Sequence, residues 1–172
     1  METKNLLRRS GPYLLAIALF LLVSVIYFSP VLEGKTLQSS DGQFAGMSKE
    51  IVDYRNSTGK QALWSNNMFS GMPAYLTSTL YSGEILSKIQ KSITSVSTPV
   101  MVLTFSFVFF FILCIVLETG VWTAFAASLA YGLMTFNFVV MATGHFTTAH
   151  ALTYVSLIVA GILMAFKQNQ IG

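Results

Sequence analysis

The sequence predicts an all-α polytopic membrane protein, with four transmembrane helices and a long extracytoplasmic loop carrying amphipathic interfacial helices. Three observations predict it. Of 172 residues, 53% are hydrophobic and only 10% charged, whereas a soluble domain has about 25% charged. The mean hydropathy is +0.64. The apolar residues gather into four uncharged runs, at about 11–32, 100–117, 121–141 and 151–166, and residues 33–98 between the first two are polar. The four runs and the loop are read as a single membrane domain, 1–172. The net charge of +3 is small and its lysines and arginines are scattered between the runs, which argues against a nucleic-acid-binding surface. Cys114 is the single cysteine, so no intramolecular disulfide forms and cysteine usage says nothing about redox compartment.

The first ten residues are basic, with Lys4, Arg8 and Arg9 against Glu2. The run after them is long enough to cross about 30 Å of hydrocarbon at ~1.5 Å per residue. A cleaved signal peptide is the alternative. The exit, Tyr27-Phe28-Ser29-Pro30-Val31-Leu32, has no small-x-small site, which favours an uncleaved anchor. Arg8-Arg9 is read as a topogenic pair rather than a twin-arginine signal.

In the polar segment, Phe44, Met47, Ile51 and Tyr54 recur at helical spacing, with Lys49, Glu50 and Asp53 on other faces. Ser40 or Asp41 is the predicted N-cap, and Gly59-Lys60 the predicted end. The stretch Trp64–Tyr75 mixes turn formers with large rings and thioethers. Such a loop must bury its apolar groups on something, and the bilayer interface suits Trp and Tyr. Ile85, Leu86, Ile89, Ile93 and Val96, opposed by Lys88 and Lys91, predict an interfacial helix. Pro99 stops it and opens the second span, which is dense in Phe and Val and expected to face lipid in part. Glu118-Thr119-Gly120 is a tight turn. In the third run Ala126 and Ala130 are four apart, as are Ser128 and Gly132, a spacing that lets helix backbones approach closely. Ser156, Ala160 and Gly161 mark a packed face on the fourth, which Lys167 follows.

The basic N-terminal flank places the N-terminus in the cytoplasm, and four crossings return the C-terminus there, where Lys167 agrees. The six Lys/Arg of the long loop count little in this rule. Residues 33–98 and 142–150 are then both outside.

That face holds the candidate chemistry. Asp41 is either a helix cap or a catalytic carboxylate or metal ligand; a cap also fixes the rotamer of the carboxylate it uses. His145 and His150, the only histidines, are five apart, where helical metal pairs use four. They are read either as two hydrogen-bonded loop histidines or, with Asp41, as a general-base or divalent-metal constellation facing a lipid phosphate. Asn137 is expected to make an interhelical hydrogen bond. Trp64, Phe69 and Tyr75 stack on a sugar ring or a lipid, or anchor the loop at the interface.

The phrases Leu37–Gln43, Met47–Arg55, Leu63–Tyr75 and Gly144–His150 resemble the N-terminal part of the YfhO-like bacterial membrane proteins, with a Bacteroidetes character. The resemblance covers most of the chain, and its most specific part is Trp64–Tyr75. It implies the GT-C superfamily of polytopic glycosyltransferases, which take a sugar from a polyprenyl-phosphate donor on the outer membrane face. Their acidic catalytic residue typically lies in the first outer loop, soon after the first span, where Asp41 stands here. Gln43, Trp64, Phe69 and Tyr75 are the expected substrate- or lipid-binding residues. The second outer loop of such proteins often adds acidic or metal-binding residues; here it holds His145 and His150 and no carboxylate. Family members have more than four spans, so this chain is expected to be an N-terminal piece, partnered by membrane lipid, the lipid-linked donor and the missing C-terminal spans. The alternative is a non-enzymatic membrane module, a lipid-handling or transport subunit whose outer loop binds a partner. Uncharged spans weaken the transport version.

Overall fold

A computed structural model of the chain describes residues 2–35, 37, 48–67, 70–76 and 98–169. The chain divides into two compact units, Met1–Leu37 with Thr94–Gly172, and Gln38–Ile93.

The described residues of the first unit are helices joined by short turns: α1 (Glu2–Tyr27), α2 (Ser29–Leu32), α4 (Thr98–Val116), α5 (Val121–Gly132), α6 (Thr135–Thr143) and α7 (Phe146–Asn169). Helix is what an apolar solvent demands, because hydrocarbon offers no partner to a backbone N–H or C=O. Four stretches are long and apolar enough to cross a membrane: Ser10–Tyr27, Thr98–Val116, Val121–Thr143 and Thr148–Lys167. The protein is therefore an all-α polytopic membrane protein. Its exposed leucines, isoleucines and valines, such as Leu14, Ile26, Val155 and Ile158, are the surface such a solvent prefers.

Helix α4 is the hub, packing against α1, α5 and α7. Expected to face lipid in part, it is the most enclosed span, 50% buried within the protein against 33% for the next. Pro99 sits in its first turn, where a missing N–H costs nothing. Helix α1 buries Ala16, Phe20 and Ser24, one residue per turn, and Phe28 just past its end is buried too. The Phe20 ring meets Phe107 at 5.3 Å, Phe111 at 5.6 Å and Phe125 at 5.0 Å. Buried Ser24 donates to the Phe20 carbonyl at 2.9 Å, so its hydroxyl is satisfied inside its own helix.

Helix α5 buries Ala124, Ser128 and Gly132, so the second small-residue pair forms the contact face. Ala126 and Ala130 are exposed, because they lie two residues round from that stripe on a 3.6-residue helix. At Gly132 the backbone approaches Phe107 so closely that a β-carbon would overlap the ring. On α7, Thr153, Ser156 and Ala160 are buried, whereas Gly161 is exposed.

The third span is not one helix. It breaks at Leu133-Met134, between α5 and α6. A break strands the last carbonyls of the first half. Buried Asn137 reaches back and donates from Nδ2 to the carbonyls of Tyr131, at 3.2 Å, and Gly132, at 3.1 Å. The amide expected to join two spans thus repairs a gap within one. At the other end of the bundle, the turn Leu117–Gly120 carries Glu118 at φ 62°. Lys167 donates to the Val116 carbonyl at 2.9 Å and to Glu118 Oε1 at 2.8 Å. That hydrogen bond and the adjacent positive charge hold the exposed Glu118 carboxyl below the usual carboxylate range.

In the second unit α3 (Lys49–Thr58) ends at Gly59, in the left-handed conformation at φ 68°, whose N–H returns to the Arg55 carbonyl at 2.8 Å. This is the predicted stop, and glycine adopts it without strain. Ser48 holds the N-cap position; Ser40 and Asp41, expected there, lie outside the described residues, as does the helix expected around Ile85–Val96. A two-stranded antiparallel ladder, β1 (Trp64–Ser65) with β2 (Met72–Pro73), pairs Trp64 with Pro73 and Ser65 with Met72. A short 3₁₀ turn, Ala74–Leu76, follows.

Two glycine substitutions separate close packing from propensity. Gly132→Ala should destabilise the detergent-solubilised protein by about 1–3 kcal/mol, because Phe107 is fully buried and has nowhere to move. Gly161→Ala meets no atom within 4 Å and should be neutral or stabilising by up to about 1 kcal/mol. Thermal unfolding of the two variants side by side checks both.

Candidate functional site

The second unit carries a cleft. It has a volume of about 600 Å³ and is lined by Glu50, Tyr54, Lys60, Gln61, Ala62, Leu63, Trp64 and Asn66. Two devices build it. Glu50, in the first turn of α3, projects one carboxylate oxygen at the loop. Its Oε2 accepts from Ser65 Oγ at 3.1 Å, Asn66 N at 3.1 Å and Asn67 N at 3.2 Å. Charge-assisted bonds of this kind are stronger than neutral ones, and they tie the Ser65–Asn67 turn to α3. Ser65 is fully buried as a result. The second device is the Ser70-Gly71 corner, at φ 64° and 114°. The Trp64 indole lies on Gly71, where a β-carbon would sit 2.8 Å from Nε1, so only glycine fits there.

Trp64 remains 54% exposed, Tyr75 67%, Leu76 62% and Leu63 84%. Flat rings beside a carboxylate, an ammonium and amides suit a ligand with both apolar and hydrogen-bonding faces. Of the substrate- or lipid-binding residues expected from sequence, the structure puts Trp64 in this cleft. Tyr75 lies in the turn after β2, and Gln43 and Phe69 lie outside the described residues. So does Asp41.

The two histidines are placed differently from each other. The helix reaches back over most of the segment read as the second outer loop, leaving Gly144-His145 between α6 and α7. His145 is exposed and its carbonyl accepts the Ala149 N–H at 3.0 Å. His150 is in the second turn of α7 and buried, and among the described residues its Nδ1 has no hydrogen-bond partner. Among the described residues no three His, Cys, Asp or Glu side chains converge on a point that would hold a metal ion.

A second hollow, of about 540 Å³, lies in the first unit where α2 finishes and α4 and α7 begin. Its walls are Val31, Gly34, Lys35, Leu37, Thr98, Pro99 and Phe146. It is largely apolar, and among the described residues Lys35, paired with Glu33 at 3.6 Å, is its one charged side chain.

Sequence reasoning missed Glu50, Lys60, Asn66 and Gly71 as site residues. Gly71 had a local signal, the Ser-Gly turn pair. Glu50 had none, because its partners are 15–17 residues away. Glu50→Ala should loosen the loop, raising cleavage within 63–76 by an added protease on the order of tenfold. Glu50→Gln should fall between, and helices of the first unit should be unaffected. Comparison of the chain with protein-family models, with curated proteins and with solved structures finds no significant match to any of them.

Proposed function

We propose that this chain is the N-terminal part of a membrane glycosyltransferase of the GT-C kind, transferring a sugar from a polyprenyl-phosphate donor on the outer face of a bacterial inner membrane. The observation that carries the reading is the hollow at the start of α4 and α7. Its apolar walls and Lys35 suit the chain and the phosphate of a membrane amphiphile. In the sequence Asp41 follows Leu37, a wall of that hollow, by four residues and is the first acidic residue after it. The resemblance of Leu37–Gln43 and Leu63–Tyr75 to the YfhO-like proteins supports the same reading. In it Asp41 is the base that takes the proton of an acceptor hydroxyl as the sugar carbon changes partner with inversion. His145 and His150 are kept as secondary candidates for a divalent metal, and Phe69, Gln43 and Tyr75 for the lipid.

A second reading has its own observation. Leu63, Tyr75 and Leu76 are large, apolar and more than 60% exposed in a unit outside the spans. Apolar groups exposed in that way mark a surface that something else covers, which favours a non-enzymatic module with a partner-binding outer loop.

Asp41→Asn separates the two. A carboxylate can take a proton and an amide of the same shape cannot. With the protein in its native membrane and a polyprenyl-phosphate-linked sugar supplied, the variant should lose roughly 10²–10⁴ of its transfer rate at unchanged insertion and folding. Near-normal transfer by Asp41→Asn would overturn the catalytic role.

A further inference from the structure

We infer that the groove between α1 and α4, on the side of the membrane that holds the N-terminus, seats an acyl chain of an anionic phospholipid whose phosphate meets Arg8 and Arg9. The groove lies at the opposite end of α1 from the hollow lined by Lys35. The inference does not rest on the transferase reading.

The two helices run antiparallel, so the start of α1 lies beside the end of α4. Phe20 stacks on Phe107 at 5.3 Å, and one and a half to two turns earlier Tyr13 meets Phe111 edge-on at 6.3 Å. Next to that contact the helices leave a groove of about 230 Å³, walled by Tyr13, Ile17, Phe111, Ile112 and Ile115 among others. Every wall residue is apolar or aromatic, and both helices are long and apolar enough to cross a membrane at this level. Water in such a groove would find no hydrogen-bond partners. An acyl chain fills it with surface of its own kind and makes the dispersion contacts that a void forfeits.

The headgroup follows from what precedes the groove in α1. Arg9, Tyr13 and Ile17 stand at four-residue intervals in one helix and so share a face. Arg8 and Arg9 come just before Ser10, where the apolar span begins, which is the depth of lipid phosphates. Pro12 removes the N–H that would bond the Arg8 carbonyl, a loss tolerated where headgroups and water are at hand. A guanidinium matches a phosphate with two parallel hydrogen bonds. Tyr13 has an apolar ring on the groove and, among the described residues, a hydroxyl with no hydrogen-bond partner; tyrosine favours this boundary. Charge agrees with the geometry. The first ten residues carry Lys4, Arg8 and Arg9 against Glu2. Glu118, just past the neighbouring end of α4, is already paired with Lys167 at 2.8 Å, so that end adds no net negative charge.

Other occupants fit less well. A helix is about 10 Å across and is too broad to enter the groove. A second copy docked symmetrically through this face would set its Arg8-Arg9 pair against the same pair, like charge against like. A phospholipid without net charge fills the groove equally but leaves the basic flank unmatched.

The test is native mass spectrometry of the full chain released from lipid nanodiscs that hold phosphatidylglycerol and phosphatidylcholine of identical acyl chains in equal amounts. One phosphatidylglycerol should stay on each chain, preferred over phosphatidylcholine on the order of tenfold. Arg8→Gln combined with Arg9→Gln should remove the preference. Because that pair also bears on insertion, Ile112→Trp gives a second route: it fills the groove from α4, leaves both arginines in place, and should lose the retained lipid. Equal retention of the two lipids by the unaltered chain overturns the inference, as does an unchanged preference in Ile112→Trp. Release as a lipid-free dimer would make the face an interface between copies and overturn it too. Neither substitution lies at Asp41 or at the Lys35 hollow, and the readout needs no sugar donor. Its failure therefore leaves the transferase reading standing, and loss of transfer in Asp41→Asn leaves the groove untouched.

Discussion

In hydrocarbon every backbone N–H and C=O must find its partner inside the protein, and most of the first unit follows from that constraint. It makes each uncharged run a helix. It also makes any interruption expensive, and at the break at Leu133-Met134 the Asn137 amide donates to the Tyr131 and Gly132 carbonyls. Ser24, Thr104, Ser128 and Thr153 each donate to a carbonyl of their own helix. Their hydroxyls can therefore be buried without a partner on another helix. Lys167 closes the far end of α4 in the same way, donating to its Val116 carbonyl.

Once the backbone is satisfied, the helices gain little from hiding apolar side chains, because lipid is as apolar as they are. Fit then decides which faces meet. The Phe20 ring lies among Phe107, Phe111 and Phe125, and Gly132 admits Phe107 where any side chain would collide. Ring pairs of this kind contribute about 0.5–1.5 kcal/mol each. The hub position of α4 follows from its carrying two of these rings on one stripe, Phe107 and Phe111, four residues apart.

The spans were legible because a long uncharged run has one physical outcome in this solvent. The stop at Gly59 and the start at Pro99 were legible for local reasons of backbone geometry. What could not be read was which of two equally spaced small-residue pairs faced inward. Ala126/Ala130 and Ser128/Gly132 share a spacing, and only the position of Phe107 on another helix chooses between them. Asn137 was legible as a polar group needing partners, but its acceptors became visible only with the break. The two histidines were read as loop residues because the polar Gly144–His150 phrase hides a helix start. The cleft was half legible: the Trp64 ring announced itself, whereas Glu50 binds residues 15–17 positions away, beyond any local pattern.

The central claim is that a polar unit is inserted between the first and second of four membrane spans, with residues 57 and 119 on opposite sides. Cysteine labelling tests it directly. In a Cys114→Ser background, a single cysteine at Ser57 should react with a membrane-impermeant thiol reagent in intact cells. One at Thr119 should react only after the membrane is opened. The reverse pattern would put the Trp64 unit in the cytoplasm and remove the outer-face reading. Equal reaction at both positions in intact cells would contradict the span order itself.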